Sequence, residues 1–538
     1  MKNFKYLMFA GIAVSTLSLN AQVVDGSLGY YRDALLFGQT SSTYGNTARM
    51  QGIGGAQTSL GADISAAGAN PAGLGMYNRS VFSFTPSINA HNSNANFLGG
   101  EISTYRNNFN FANMGVVFNN NKGDFTSEKF KGGSFAITLG RTNNFNNEVS
   151  YQGRNTNSSI TDYLVEDANA FGADFSDPQY LADYAYGQFL IENADGYLFE
   201  NGNDGRTYIY PDGDFDGYTS LVGRNSFDQF FPRQAETIRT SGGQYSLNLA
   251  WGGNYDDKIY FGGGINFESI DYTQRKTYTE DGFANADGVQ DDLLNELRVI
   301  NNLNIEGSGI GFNAGIIARP ISIVTLGVSY KSPTYWSLDE ESDSRLITNW
   351  NSNYSYFDGT NSAGDSLYRS LGSYDETGPL FISQYNLRTP ARLNLGATVF
   401  LGKAGFISGD VEFVDYTGGQ LKSNDFNVVA DNQTINSLFA RTVNYRLGAE
   451  FRYDNFRFRG GYAFFGDPYN NNTAFDASVQ NLSVGVGYRT RDYFVDLAVM
   501  NRKGFDAISP YSLEDGTEPI ANITNQSTNV SATIGFNF

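Results

Sequence analysis

Three aspartates in a long polar stretch have the spacing of metal ligands. Asp212, Asp214 and Asp216 alternate with other residues, and a glycine follows at position 217. Alternate carboxylates followed by a glycine are typical of the first half of a calcium loop. The twelfth position is Gly223 instead of Glu, so the segment is not an EF-hand. Two interpretations stay open, a Ca²⁺ site in an extracellular loop and a solvated acidic turn, and no other cofactor is indicated.

The chain offers little for catalysis. It has no cysteine, which excludes thiol and Cys–zinc chemistry and a disulfide framework. His91 is the single histidine, and a serine hydrolase would need a serine and an acid beside it. The glycines from 307 to 311 resemble a dinucleotide motif, but they lie within an alternating strand and open no helix. We predict that the protein is not an enzyme.

Alternating strands dominate the rest of the sequence. After the N-terminal apolar run, no stretch of about 18 apolar residues appears, so a helical membrane span is not expected. The chain is 15% aromatic with 61 glycines and 35 tyrosines, a composition that favours an antiparallel transmembrane β-barrel. The formal net charge of −20 argues against nucleic acid as a partner. Candidate strands begin near Val81, Phe109, Ser134, Gln244, Lys258, Asn304, Ile321, Tyr385, Ala404, Thr442, Asn455, Val479, Asp492 and Thr528.

The connections between these strands alternate in length. Short turns lie at 254–256, 319–320, 402–403, 454 and 490–491, and long polar segments separate the other neighbours. Outer-membrane barrels have this alternation, with their long loops outside. The sequence therefore predicts an all-β barrel of about 14 strands over residues 80–538, with its largest extracellular loop at about 146–241. A soluble β-sandwich is the alternative, and the connection 119–133 is longer than a short turn.

Charged residues recur on one face of the late strands. They alternate with Leu, Ala, Phe and Tyr, and charged side chains in lipid are costly, so we expect the charges to face the lumen. There they would pair with one another or with a plug. The predicted lumen-facing set is Arg388, Arg392, Asp410, Glu412, Arg446, Glu450, Arg452, Arg457 and Arg459.

The N-terminal region divides into two parts. Residues 1–21 have two lysines ahead of an apolar run and fit a secretory signal peptide that is cleaved after Ala21. Residues 22–79 are rich in small side chains, which suit close packing, and we interpret them as a hatch or plug inside the barrel. A glycine-rich linker is the alternative. At the other end, the final strand places an aromatic residue, Phe538, last, as outer-membrane barrels do.

Three short motifs resemble one known family. Gly54-Gly55-Ala56, Gly61-Ala62-Asp63 and the segment 69–74 lead into the strand 80–88. This arrangement resembles the hatch and first strand of the FadL/TodX outer-membrane transporters, here a Bacteroidota-like member. The resemblance implies a fourteen-stranded barrel that takes up fatty acids or aromatic hydrocarbons and releases them sideways through the wall. Its hatch turn maps onto the residues Asn70, Pro71, Ala72 and Gly73.

Two functions are compatible with these features. The first is hatch-gated passage of small hydrophobic molecules, with outer-membrane lipids or lipopolysaccharide and a fatty acid or aromatic hydrocarbon as partners. The second is a non-transporting accessory barrel in a larger outer-membrane complex for protein secretion or outer-membrane protein assembly. The hatch favours the first function, and the long acidic insertion and arginine-rich lumen favour the second. Both place the protein in the cell outer membrane of a Gram-negative bacterium.

Overall fold

The structure is a computed structural model that describes residues 24–25, 29–39, 45–122, 128–176, 178, 180–194, 196–212, 217–224, 229–285, 288, 290, 292–470 and 475–538. The predicted signal peptide lies outside these residues. None of the helices within the described ranges is both long and apolar enough to cross a membrane.

Fourteen strands form a closed antiparallel barrel. Each pairs with its neighbours in the chain, and the first and last strands close the barrel through pairs that run from Val81 with Asn537 to Asn96 with Asn522. Every predicted strand corresponds to one of them. They are β1 (Val81–Phe97), β2 (Gly100–Asn121), β3 (Phe130–Asn144 and Asn147–Arg154), β4 (Phe231–Tyr255), β5 (Ile259–Ala284), β6 (Leu294–Ile321), β7 (Val324–Lys331 and Tyr335–Trp350), β8 (Phe381–Arg388 and Arg392–Phe400), β9 (Gly405–Asp415), β10 (Arg441–Tyr453), β11 (Phe456–Phe465), β12 (Val479–Arg489), β13 (Tyr493–Ser509) and β14 (Ala521–Asn537).

Several strands are longer than expected. β4, β5 and β6 have 25, 26 and 28 residues, whereas crossing a bilayer takes about ten. The polar stretch between the first two predicted strands is not a long loop, because β1 and β2 continue to a tight turn at Leu98 and Gly99, both with positive φ. His91 therefore lies within β1.

The outer face carries an apolar band of limited height. On β5 the exposed residues Phe261, Ile265 and Phe267 are followed by exposed Ser269 and Asp271. The band therefore ends near Phe267, and the longer strands continue beyond it on the side of the long connections. A closed barrel with such a band can span a membrane because every strand edge is paired.

The lumen and the outer end hold the helices and short strands. The helices are α1 (Tyr31–Leu36), α2 (Ala48–Gly52), α3 (Ala66–Ala69), α4 (Ile160–Phe171), α5 (Leu181–Gly187) and α6 (Val429–Leu438), with 3-10 turns at Pro71–Met76 and Tyr416–Gly418. The remaining strands are Val24–Asp25, Ile191–Glu192, Gly196–Asn201, Thr207–Asp212, Thr219–Ser220, Tyr354–Thr360, Ser366–Ser370, Ser373–Thr377 and Gln420–Lys422. At the outer end α4 and α5 pack on the inner faces of the long strands, where Trp350 donates to the Gln188 carbonyl (3.1 Å).

Candidate functional site

The segment 45–77 fills the lumen near the short-turn end of the barrel. Its apolar side chains Met50, Ile53 and Leu74 are at most 1% exposed. It lies against the wall at glycines, where a side chain would collide with it. A Cβ added at Gly315 would come within 2.0 Å of the Asn70 Oδ1 atom. The small residues of the plug and of the wall thus fit one another.

Asn70 of the hatch turn forms hydrogen bonds both within the plug and to the barrel wall. Asn70 is fully buried, and its Oδ1 atom accepts from the Ala72 N–H (3.2 Å), which caps the 3-10 turn that begins at Pro71. Its amide nitrogen donates to the Thr58 carbonyl (2.6 Å) and to the Val328 carbonyl of β7 (3.4 Å). A proline is suited to the first position of such a turn because its missing N–H would have no partner there.

The polar backbone of the plug finds its partners in uncharged side chains and one carboxylate. Asn313 donates to the Ala67 carbonyl (2.8 Å), Thr325 to the Ser59 carbonyl (2.9 Å), and Thr533 accepts from the Ala48 N–H (2.7 Å). The inward-facing arginines were expected in this role. Amides and hydroxyls satisfy these groups without burying an additional charge.

Asp410 is the wall carboxylate that accepts hydrogen bonds from the plug backbone, and Glu450 pairs with Arg49 of the plug (3.8 Å). Asp410 accepts through its Oδ2 atom from the Gln57 N–H (2.8 Å), the Thr58 N–H (2.9 Å) and the Thr58 hydroxyl (2.8 Å). Its side chain belongs to β9, so all three bonds join the plug to the wall. Hydrogen bonds to an ionised group are among the stronger ones in proteins.

Two ion networks line the wall around the plug. In the first, Glu412 pairs with Arg392 and Arg446, both at 3.0 Å. In the second, Arg459 lies between Glu450 (2.8 Å) and Asp496 (2.7 Å). Since every member is buried and paired, these networks fix the wall more than they offer free charge to a solute.

An apolar compartment lies on the outer side of the plug. Phe37, which follows α1, is fully buried and packs edge-on against Phe145 and Tyr272, with ring centroids 6.1 and 6.3 Å apart. Ile305, Trp336, Leu387 and Ile435 belong to the same cluster. The N-terminal segment thus occupies an apolar chamber inside the barrel.

Polar contacts anchor α1 in this chamber. Arg32 pairs with Glu340 of β7 (3.2 Å), and the Tyr385 hydroxyl contacts the carboxylates of both Asp33 and Glu340. None of these four residues was predicted. The strand alternation around Tyr385 and Glu340 could have suggested their inward orientation, but nothing local links them to α1.

Comparison with known proteins identifies the architecture. No protein-family model matches the chain, and no curated protein matches it. A FadL homologue from Pseudomonas aeruginosa aligns over 92% of this chain and 98% of its own, with 12% identity and a TM-score of 0.51. The chain has the FadL fold. Two toluene transporters, TbuX from Ralstonia pickettii and TodX from Pseudomonas putida, both align with a TM-score of 0.47, at 12% and 11% identity, over 92% and 91% of this chain and 99% and 98% of their own.

The FadL-type barrel places most of the predicted charged residues toward the lumen. Arg392, Asp410, Glu412, Arg446, Glu450 and Arg459 are at most 7% exposed. Arg452 and Arg457 lie near the short-turn end, where Arg452 pairs with Glu450 (2.8 Å) and Arg457 donates to the Asp454 carbonyl (2.7 Å). Asp496, which completes the second network, was missed, although it alternates with apolar neighbours as the predicted residues do.

The structure contradicts the prediction that Arg388 faces the lumen. Its neighbours Tyr385 and Leu387 are buried in the apolar compartment, so Arg388 belongs to the opposite, outer face. β7 and β8 are both interrupted, at Pro333 and Pro390, and in each strand the exposed face changes between even and odd residues across the break. Proline lacks the N–H that a continuous ladder needs.

The Ca²⁺ site predicted at the aspartates from 212 to 216 stays a prediction. Asp212 is exposed at the end of a short strand, and Asp214 and Asp216 lie outside the described residues. Among the residues that the structure describes, no group of three or more His, Cys, Asp or Glu side chains is placed to hold a metal.

Proposed function

We propose that the protein is an outer-membrane channel in which the plug gates the passage of small hydrophobic molecules such as fatty acids or aromatic hydrocarbons. The observation that carries this proposal is the apolar compartment on the outer side of the plug. It is filled by α1 and Phe37, which one short segment supplies. Displacing that segment would give a hydrophobic molecule a chamber lined by aromatic and aliphatic side chains.

Passage beyond this chamber requires the plug to move. A cavity of about 90 Å³ between the plug and the wall is lined by amides, hydroxyls and the charged side chains Lys331, Arg392, Glu412 and Arg446. A hydrophobic molecule would leave these groups desolvated, which is costly. The gate in this proposal is therefore the attachment of the plug, and the chamber is the binding site.

Ligand binding in the chamber can be measured through one tryptophan. Trp336 is 2% exposed and belongs to the compartment, whereas Trp251 is on the outer face and Trp350 packs against α5. In a protein with Trp251→Phe and Trp350→Phe, oleate or toluene should change the fluorescence of Trp336 with saturation. Adding Phe37→Ala should tighten binding because the ligand then displaces less of the protein. No saturable change with either compound would contradict a hydrophobic binding site.

Gating can be measured separately. Deleting residues 45–69 while keeping Asn70 and Pro71 should leave an insertable barrel with large, stable openings in planar bilayers. The intact protein should be nearly silent. Equal conductance in both proteins would mean that this segment does not close the lumen.

A second candidate, an accessory subunit of a larger complex, is favoured by an exposed surface outside the barrel. The short strands Gly196–Asn201, Thr207–Asp212, Tyr354–Thr360 and Ser366–Ser370 form a sheet. Tyr208, Tyr210 and Tyr368 cluster on it, and Leu198 and Tyr368 are 52% and 41% exposed. Exposed apolar surface of this kind often marks a protein interface.

Purification in mild detergent separates the two functions. An accessory subunit should retain other outer-membrane proteins in fixed stoichiometry and lose them on Leu198→Ser with Tyr368→Ser. A channel should purify alone, and this double variant should leave its ligand binding unchanged.

A further inference from the structure

An arginine on the outer face of a membrane barrel requires an explanation. Arg388 is the cross-strand neighbour of Tyr335, which is 57% exposed on the outer wall. Its guanidinium donates to the Gly418 carbonyl (3.1 Å). Among the described residues, the buried Nε atom of Arg388 has no hydrogen-bond partner. A cation on the lipid-facing side of a barrel is costly near the bilayer centre and tolerated near the interface.

The strand register assigns Arg388 to a continuous row across the wall. Paired neighbours connect Phe267 of β5, Ile310 of β6, Tyr335 of β7, Arg388 of β8 and Gln420. This lower row changes from apolar to cationic along its length. Phe267 and Ile310 are 43% and 49% exposed, as expected of side chains that contact lipid.

A second row lies directly above the first, farther from the membrane centre. Its members, again joined by strand pairing, are Ser269, Ser308, Ser337, Asn386 and Lys422. All are exposed, and three are serines. Because the serines are small, the wall is recessed there. The lower row and the residues Ser308, Ser337, Asn386 and Lys422 of the upper row line a groove of about 690 Å³, whose floor includes the buried Glu268 and Trp336.

The level of the groove follows from the apolar band. Phe267 is the last exposed apolar residue of that band on β5, and Ser269 begins the polar surface. The groove therefore opens where lipid headgroups of the outer leaflet meet the hydrocarbon. Its lower edge is apolar, and its far end carries two cations, Arg388 in the lower row and Lys422 beside Asn386 in the upper row.

We propose that this groove binds the phosphate headgroup of an anionic membrane lipid. Arg388 and Lys422 contact the phosphate, Ser308, Ser337 and Asn386 donate hydrogen bonds to it, and an acyl chain lies on Phe267 and Ile310. Arginine matches phosphate oxygens in a bidentate geometry, and lysine adds a point charge. A membrane lipid is favoured over a free anion because the groove is continuous with the lipid-facing band. The groove adjoins the apolar compartment, because Trp336 and Leu387 belong to both, but the phosphate contacts proposed here lie on the outer wall.

Native mass spectrometry of the full-length protein in mild detergent tests the proposal. After delipidation, the protein should bind one phosphatidylglycerol at least tenfold more tightly than phosphatidylcholine. Two cations near a membrane surface account for a difference of about this size or larger. Arg388→Gln with Lys422→Gln should abolish the preference. Lys403→Gln, an exposed lysine in the turn 402–404 at the opposite end, is the matched control and should keep it.

A second pair of variants distinguishes loss of the lipid site from misfolding of the protein. Ser308→Phe and Ser337→Phe fill the groove but retain both cations and the bond from Arg388 to Gly418, so they should also lose phosphatidylglycerol. Heat-modifiable gel mobility verifies that each variant is folded. Equal binding of the two lipids by the wild type, or full binding by the filled groove, would overturn the proposal. If oleate bound as tightly as phosphatidylglycerol, the groove would recognise a carboxylate instead of a phosphate. If inorganic phosphate competed at the same concentration, the groove would be a free-anion site. Either result would overturn the lipid assignment.

Discussion

Replacing Asp410 with alanine should release the plug while the barrel stays folded. The carboxylate accepts three hydrogen bonds from the plug, at 2.8, 2.9 and 2.8 Å, and is 3% exposed. Alanine leaves two backbone N–H groups and a hydroxyl without an acceptor. Each buried donor left unpaired costs about 1–3 kcal/mol, so the attachment should weaken by at least about 3 kcal/mol.

The weaker attachment of the plug should be measurable as channel activity. A change of about 3 kcal/mol raises the fraction of time that the plug is detached roughly 150-fold. In planar bilayers the nearly silent wild type should become a channel with frequent openings. Asp410→Asn keeps one acceptor oxygen, so its activity should fall between the two.

The neighbouring carboxylate provides the control. Glu412 is on the same strand and equally buried, but its partners Arg392, Arg446 and Asn444 all belong to the wall. Glu412→Gln should therefore affect heat stability of the barrel more than conductance. A silent Asp410→Ala protein, or openings in Glu412→Gln as frequent as in Asp410→Ala, would refute this account of the plug.

Three further predictions concern other parts of the chain. Phe538 is 67% exposed at the end of β14, so Phe538→Asp should lower the folded yield in heat-modifiable gels of the outer-membrane fraction; an unchanged yield would show that the terminal aromatic is dispensable. Burial and the neighbouring Asp183 raise the pKa of Asp167 on α4 to about 6. The stability that protonated Asp167 contributes is therefore fully present below about pH 4 and is lost as the pH rises through 6. Asp167→Asn should therefore stabilise the outer helices at pH 7 by about 1 kcal/mol after allowing for solvent screening, and slow their proteolysis, with little effect at pH 4. Asp183→Asn replaces one of the two oxygens that accept backbone N–H groups with an amide donor, and should speed proteolysis. If the aspartates from 212 to 216 bind Ca²⁺, chelation should speed cleavage between residues 146 and 241 in the wild type but not in Asp214→Ala; identical rates would favour a solvated acidic turn.

The sequence determined the number and order of the barrel strands. Alternation of apolar and polar residues is a local property, and each strand face is chemically uniform because one side meets lipid and the other the lumen. The same property located Asp410, Glu412, Arg446 and Glu450 on the inner face. Small residues likewise marked the plug, since only they permit its close approach to the wall.

Tertiary structure decided which groups meet. Asp410 binds Thr58 although the two are 352 positions apart, and no local pattern specifies that register. Strand length also depends on pairing, because polar segments such as β1 beyond residue 88 become strands only when a partner satisfies their backbone. Arg388 shows the limit most directly. The alternation of inward and outward side chains can be extrapolated only along a strand whose hydrogen-bond ladder is unbroken. Because β8 is interrupted at Pro390, Arg388 lies on the lipid-facing wall and not in the lumen.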